Sequence, residues 1–145
     1  MVEDFKPFRS FILSLFQEQP ELYVLYEVSD GQEAVRRALE LNPDLILMDI
    51  GLPTLNGIEA VRQIRKAIPK SKIVFVTQET SAEVVAEARN VGALGYVPKS
   101  RAAQDLFRAV TLVLRGEPFV STGLYGFDLE ESPIAGSEEQ SPLPS

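Results

Sequence analysis

Short apolar runs alternate with amphipathic stretches along most of the chain, and this alternation limits the possible folds more than any other feature. Four runs are predicted strands, because they are short, bounded by turn residues and rich in aliphatic side chains. The run before Asp49 contains no polar residue, as expected of a strand buried on both faces. Strands alternating with helices indicate an α/β protein, a doubly wound parallel sheet with helices on both sides. The predicted strands are Leu22 to Val28, Leu45 to Met48, Ile73 to Val76 and Leu94 to Val97.

The amphipathic stretches predict five helices, and the order of elements indicates that a strand is missing at the front. Apolar residues recur at helical spacing from about Pro7 to Gln19, where Pro20 would stop the first helix. Only Met1 and Val2 are apolar among the few residues before it. The first strand of the sheet is therefore predicted to be truncated. The other helices are predicted to begin at Gln32, near Gly57, and after the N-cap residues Ser81 and Ser100.

The chain contains no cysteine and no histidine among its 145 residues. This excludes disulfides, thiolate chemistry, imidazole bases and the usual zinc sites. Any chemistry must use carboxylates, hydroxyls, lysine or a hard cation. No apolar run approaches the roughly 20 residues of a membrane span. Acidic Glu3 and Asp4 stand where a signal peptide is basic, so a cytoplasmic protein without a membrane segment is expected.

The net charge of −7 is concentrated toward the C-terminal end. From residue 124 onward there are five acidic residues and no Lys or Arg, in a segment rich in Pro, Gly and Ser. We therefore predict one domain over residues 1–122 and a disordered acidic tail over residues 123–145. The domain carries no basic stripe, so direct DNA binding is not expected.

Polar residues follow the predicted strands at the points where the strands end. Asp49, Thr77 and Lys99 each follow an apolar run, and Glu3 and Asp4 follow the truncated first strand. Ligands bind outside the carboxyl ends of the strands in open parallel sheets. Carboxylates without histidine favour Mg²⁺, and a lysine ammonium and a hydroxyl would bind the other oxygens of a phosphoryl group on Asp49. The sequence therefore predicts a phosphoryl-acceptor site.

A set of short motifs extends from Val2 to Lys99. They are Val2-Glu3-Asp4, Leu47 to Pro53, Asn56-Gly57, Val76-Thr77 and Gly95-Tyr96-Val97-Pro98-Lys99. In this order and spacing they resemble the receiver domain of two-component response regulators, and the resemblance extends to about Gly116. The stretch Ser29 to Ala34 and the ending Gly116 to Ser121 look like the subfamily that usually carries a C-terminal helix-turn-helix. That output domain is absent from the sequence, so a stand-alone receiver is expected.

The resemblance implies a fold and a phosphorylation site. The fold would be flavodoxin-like, with a five-stranded sheet in the order 2-1-3-4-5. Asp49 would accept a phosphoryl group from a histidine kinase or a phosphotransfer protein. Mg²⁺ would be held by Glu3, Asp4, Asp49 and the backbone carbonyl of Gly51. Gly51 and Gly57 are also interpreted as backbone devices for a tight loop.

The resemblance also implies a switch and a way of passing on the signal. The Thr77 hydroxyl would bond a phosphoryl oxygen, and the ring of Tyr96 would turn inward as Thr77 moves. An output protein would read the surface formed by the fourth helix, the strand at Leu94 to Val97 and the last helix. A homodimer through the same surface is a further expectation.

The short first strand leaves several alternatives open. The true start lies upstream, another segment or a second chain fills the gap, or the protein is a degenerate receiver. A degenerate receiver would be an interaction module that works without phosphorylation, with Glu3 and Asp4 poorly anchored. A phosphatase-like enzyme with an aspartyl intermediate is a third hypothesis, but Gly51 occupies the place of the second acid that it would need. We therefore expect a phosphoacceptor without a separate enzymatic activity.

Overall fold

The computed structural model describes residues 1–17 and 28–121. Most of the predicted strand Leu22 to Val28 and the predicted tail after residue 122 lie outside the described residues. From residue 31 onward, helices and strands alternate as the sequence predicts. The strands are β1 (Leu45–Met48), β2 (Lys72–Thr77), β3 (Gly95–Pro98) and β4 (Phe119–Val120). The helices are α1 (Lys6–Phe16), α2 (Gly31–Leu41), α3 (Gly57–Ala67), α4 (Ala82–Asn90) and α5 (Ala102–Leu114), with a 3₁₀ turn at Lys99–Arg101 before α5.

The strands of the described residues form a parallel sheet in the order β1-β2-β3-β4. Val2 forms parallel bridges to both Val28 and Met48, so the start of the chain lies between Val28 and β1. The predicted flavodoxin-like α/β fold is confirmed, and the described strands lie next to one another in the predicted order. The first strand is a single bridging residue, Val2, in keeping with the predicted truncation, and the described sheet differs from the prediction in having β4 as an additional strand.

The truncated first strand still makes backbone hydrogen bonds on both sides. The N–H of Val2 donates to the carbonyl of Leu47 at 2.7 Å, and the N–H of Asp49 donates to the carbonyl of Val2 at 3.1 Å. On the other side, the N–H of Glu3 donates to the carbonyl of Val28 at 2.9 Å. These bonds fix the direction in which Glu3 leaves the sheet. The truncation therefore does not detach the acidic pair from β1.

β4 was not predicted from the sequence. The N–H of Phe119 donates to the carbonyl of Leu94 at 3.0 Å, and the N–H of Ser121 donates to the carbonyl of Tyr96 at 3.2 Å. Two apolar residues are too few to produce a recognisable strand pattern. β4 covers the outer edge of β3, where backbone groups would otherwise be unpaired.

Two helix ends differ from the prediction. α1 ends at Phe16 with Gln17 as its C-cap, and residues 18–20 are outside the described part of the chain. The Ser81 hydroxyl caps α4 by accepting from the N–H of Val84 at 3.3 Å, as predicted. The prediction of Ser100 as a cap is wrong, because α5 begins after a 3₁₀ turn and has no side-chain cap. A 3₁₀ turn is a common start for a helix that directly follows another element.

The loop between β1 and α3 is packed tightly under Asp49. A Cβ atom at Gly57 would lie 2.0 Å from the carbonyl oxygen of Asp49, and one at Gly31 would lie 1.8 Å from that of Leu55. Only glycine allows these close approaches, which confirms the interpretation of Gly57. The same interpretation of Gly51 is wrong, because its φ is not left-handed and a Cβ there would meet no atom within 4 Å.

Helices cover both faces of the sheet. Side chains alternate between the faces along each strand, as a pleated backbone requires. Met48, Phe75 and Tyr96 join the core under α2, α3 and α4, whereas Leu47, Val74 and Val97 join the core under α1 and α5. Among the described residues, no helix has the length and apolar character needed to cross a bilayer.

Candidate functional site

The predicted polar residues converge at the carboxyl edge of the sheet. Asp49 directly follows β1, Thr77 ends β2 and Lys99 follows β3, while Glu3 and Asp4 follow the truncated first strand. We call these five residues the edge site. Glu3, Asp49 and Thr77 have only 1%, 6% and 1% of their surface exposed, whereas Asp4 is exposed. Burial of carboxylates is costly, so their grouping at a ligand-binding edge indicates a functional role.

Lys99 is shared between the two buried carboxylates. Its Nζ lies 2.9 Å from Oε2 of Glu3 and 3.2 Å from Oδ2 of Asp49. Burial alone would lower the pKa of Lys99, but the hydrogen bond to Glu3 and the attraction of Asp49 outweigh it and raise that pKa. The ammonium is therefore held in its charged form between the two acids.

Glu3 is the less favourably placed acid. Burial raises the pKa of Glu3, and the hydrogen bonds from Lys99 and from the N–H of Phe5 offset this only in part. The negative charge of Asp49 raises the pKa of Glu3 further. The N–H of Phe5 donates to Oε2 at 3.0 Å, and Arg9 donates to the backbone carbonyl of Glu3 at 3.0 Å. Glu3 is thus fixed in position although its negative charge is incompletely balanced.

The acids of the edge site could hold a hard cation. Glu3, Asp4 and Asp49 each offer one carboxylate oxygen, and these oxygens all lie within 4.8 Å of one another. An all-oxygen donor set of this kind suits Mg²⁺, which is usually bound by a few carboxylates together with water and phosphate oxygens. The residues present therefore fit the predicted metal. The contribution of the Gly51 carbonyl stays a prediction.

Asp49 has one oxygen anchored and one directed to the lysine. Oδ1 accepts from the N–H of Ile50 at 2.7 Å, and Oδ2 faces Nζ of Lys99. The anchored oxygen fixes the carboxylate plane, because it is bonded to the backbone of the next residue. Asp49 is therefore held with its second oxygen toward Lys99.

Thr77 and Tyr96 are connected through the backbone of Glu79. The N–H of Glu79 donates to Oγ1 of Thr77 at 3.3 Å, and the hydroxyl of Tyr96 donates to the carbonyl of Glu79 at 2.7 Å. The ring of Tyr96 is fully buried, and burial raises the pKa of its hydroxyl. The ring of Tyr96 points inward in this structure, and its predicted movement with Thr77 stays a prediction. The side chain of Glu79 is exposed.

Two features near the edge site were missed from the sequence. The ring of Phe8 on α1 lies under Lys99, with Nζ 4.8 Å from the ring centroid. Phe8 belongs to the apolar stripe of α1, and that stripe gives no sign of a polar contact. The backbone of Glu79 links two side chains that are 19 positions apart, and a backbone contact leaves no signature in residue type.

Comparisons with known proteins place this arrangement in context. The family model described as the response regulator receiver domain matches residues 1–111. The transcriptional regulatory protein LiaR of Bacillus subtilis (strain 168) is 33% identical over 126 residues, which cover 87% of this chain and 60% of LiaR. LnrK of the same organism, also a transcriptional regulatory protein, is 38% identical over 108 residues, which cover 74% of this chain and 49% of LnrK.

The crystal structure of a two-component response regulator of the LuxR family from Aurantimonas sp. SI85-9A1 has the same fold. It is 32% identical, has a TM-score of 0.82, and the match covers 90% of this chain and 93% of that chain. The chain spans about half to three fifths of the length of the curated relatives above.

Proposed function

This chain belongs to the response regulator receiver domain family, and on that premise we propose that it accepts a phosphoryl group on Asp49. The donor is a phosphohistidine of a histidine kinase or of a phosphotransfer protein. The observation that carries the proposal is the position of Asp49, a buried carboxylate with one oxygen anchored by Ile50 and the other facing Lys99.

The proposed transfer needs only a nucleophile and groups that balance charge. A carboxylate oxygen of Asp49 attacks phosphorus, the P–N bond to the histidine breaks, and the ring nitrogen keeps the electron pair and takes up a proton. The oxygens of the transferred group carry negative charge in the transition state. Lys99 and Thr77 bind these oxygens and stabilise that charge. Glu3, Asp4, Asp49 and the carbonyl of Gly51 would hold Mg²⁺, which would supply further positive charge to those oxygens.

The proposed output is a population shift in the groups next to the edge site. The Thr77 hydroxyl would donate to a phosphoryl oxygen, and movement of Thr77 toward that oxygen would weaken the bond that its Oγ1 accepts from the N–H of Glu79. The carbonyl of Glu79 also accepts from the hydroxyl of Tyr96, so the movement reaches Tyr96. The shift can be no larger than the difference in affinity of the phosphoryl group for the two arrangements. A protein partner, or a second copy of the chain, reads the change on the surface of α4, β3 and α5, which in this structure also includes β4.

The test is incubation with acetyl phosphate and MgCl₂, followed by intact-mass measurement. We expect wild-type protein to gain one phosphoryl group and Asp49→Asn to gain none. A matched control is Asp44→Asn, which changes an exposed acid before β1 and should be modified as fully as wild type. If folded wild-type protein remains unmodified, the proposal fails.

That failure would favour the alternative function, an interaction module that works without phosphorylation. The hydrogen bonds of Val2 and Glu3 to β1 and Val28 weigh against this alternative, because they keep the acidic pair beside Asp49. Circular dichroism of the same samples separates an unmodified folded protein from an unfolded one.

A further inference from the structure

Phe8 contacts the one cationic side chain of the edge site. Nζ of Lys99 lies 4.8 Å from the centroid of the Phe8 ring, within the range of a cation–π interaction. The Lys99 side chain has 14% of its surface exposed, so the ammonium is largely removed from water. A cation–π contact is stronger when the cation is desolvated, since water then competes less with the ring.

The contacts of Lys99 differ in what a ligand would do to them. The oxygens of Glu3 and Asp49 are the groups proposed to bind the metal and the phosphoryl group, so both are engaged when the site is loaded. The ring of Phe8 has no lone pair for a metal and no donor for a phosphoryl oxygen. Among the described contacts of Lys99, the contact to the Phe8 ring is therefore the one that neither the metal nor the phosphoryl group would replace.

We propose that Phe8 is a positioning residue that holds the Lys99 ammonium over Asp49 when the two carboxylates are occupied. This inference rests on the proposed phosphorylation of Asp49 and extends it to a residue on α1. The remainder of the Phe8 ring packs against the core under α1 and α5, which fixes the position of the ring face. Without that face, the flexible lysine side chain samples more positions, and fewer of them reach the reacting oxygens.

The first experiment measures the position of Lys99 without any phosphorylation. In proton NMR spectra of the metal-free protein, we expect the ε-methylene protons of Lys99 to be shifted upfield by the ring current of Phe8. Phe8→Leu should remove that shift. Phe16→Leu is the matched control, since Phe16 lies on the same helix, its ring contacts that of Phe107, and it has no described contact with Phe8 or Lys99. An unchanged Lys99 shift in Phe8→Leu would overturn the proposal.

The second experiment measures the rate of phosphorylation by acetyl phosphate with Mg²⁺. We expect Phe8→Leu to lower the rate between about two and thirty times, the range that cation–π energies imply, and Phe8→Trp to restore it. Phe16→Leu should leave the rate within about twofold of wild type. An equal loss in Phe8→Leu and Phe16→Leu would show a general effect on α1 and would overturn the proposal.

Fluorinated phenylalanine at position 8 separates positioning from packing. Mono-, di- and trifluorinated rings keep the shape but progressively weaken the attraction of the ring face for a cation. We expect the rate to fall stepwise with fluorine number while the unfolding midpoint stays constant. A rate that does not depend on fluorine number would contradict the proposal. If wild-type protein is not phosphorylated at all, the proposed function fails, but the NMR comparison still decides whether Phe8 positions Lys99.

Discussion

Asp49 and Asp105 are both acids beside a basic side chain, but the negative charge around them is neutralised to very different extents. Asp105, in the first turn of α5, accepts from Nε of Arg101 at 3.1 Å, from Nη2 of Arg101 at 3.3 Å and from the hydroxyl of Ser121 at 2.7 Å. We call Arg101, Asp105 and Ser121 the β4 clamp, because Ser121 directly follows β4. In this clamp one carboxylate is satisfied by a fork of donors and a hydroxyl.

The edge site has the opposite balance. Glu3 and Asp49 share the single ammonium of Lys99, and Asp4 adds a third carboxylate within reach of both. The pKa of Glu3 is raised because burial outweighs its hydrogen bonds. The pKa of Asp105 is lowered, since its hydrogen bonds from Arg101 and Ser121 outweigh the effect of burial. An excess of negative charge on buried carboxylates is costly unless a cation offsets it, so the difference supports the proposed ligand-binding role of the edge site and a structural role of the β4 clamp.

The largest expected effect comes from removing the basic residue of each region. Lys99→Met should lower the rate of phosphorylation by acetyl phosphate about 100 to 1,000 times, the usual loss when one preorganised donor to a transition state is removed. Arg101→Met removes the basic residue of the β4 clamp, two positions away, and should leave the rate within about twofold of wild type. The measurement is the initial rate by intact mass at fixed Mg²⁺.

Equal losses of phosphorylation rate in Lys99→Met and Arg101→Met would contradict the distinction between the two regions, because both basic residues would then contribute equally to phosphorylation. If a folded Lys99→Met protein were phosphorylated at the wild-type rate, Lys99 would have no role in phosphorylation.

The next effect is on stability and concerns the β4 clamp. Asp105→Ala leaves the buried Ser121 hydroxyl without its acceptor, which should lower the free energy of unfolding by about 1 to 3 kcal/mol. Asp105→Asn keeps one acceptor oxygen and should cost less. Urea unfolding measures the loss, and the phosphorylation rate of both variants should match wild type. A slower phosphorylation rate in Asp105→Ala, at full folding, would show that the clamp is coupled to the edge site.

The edge site was predictable from the sequence, and the β4 clamp was not. Asp49, Thr77 and Lys99 follow strands whose apolar composition is visible, and parallel strands must end at one edge. Asp105 and Ser121 meet only because two residues of β4 pair with β3, and so short a strand has no periodicity. Phe8 is visible as a core residue of α1, but its contact with Lys99 depends on how α1 packs beside the sheet.

The predicted poor anchoring of Glu3 and Asp4 was only partly right. In the sequence, Met1 and Val2 are the apolar residues that precede Glu3. The sequence does not show that one residue can bridge Val28 and Met48 together, because strand pairing is decided by the positions of both neighbours. Glu3 is therefore anchored by backbone hydrogen bonds, which any residue type can form and which the sequence does not reveal.

The smallest expected effect is the opposite pH dependence of the two regions. An acid whose pKa is lowered by folding stabilises the fold at pH values above its pKa in the unfolded chain. This stability is lost as the pH falls through its pKa in the folded protein. For Asp105 the ordinary pKa is 3.8, so wild type should gain stability relative to Asp105→Asn as the pH rises toward and through that value. For Glu3 the pKa is raised above 4.5, so wild type should lose stability relative to Glu3→Gln as the pH rises past 4.5.

The measurement is urea unfolding of the three proteins between pH 3 and pH 7 in EDTA, which keeps metal out of the edge site. Because the partly exposed Arg101–Asp105 pair contributes only about 0.2 to 1 kcal/mol, the comparison depends on the sign of each slope rather than its size. Slopes of opposite sign sharpen the distinction between an unbalanced ligand site and a satisfied clamp. If both differences change in the same direction, the charge of Glu3 is as well balanced as that of Asp105. The contrast between the two regions would then have to rest on phosphorylation alone.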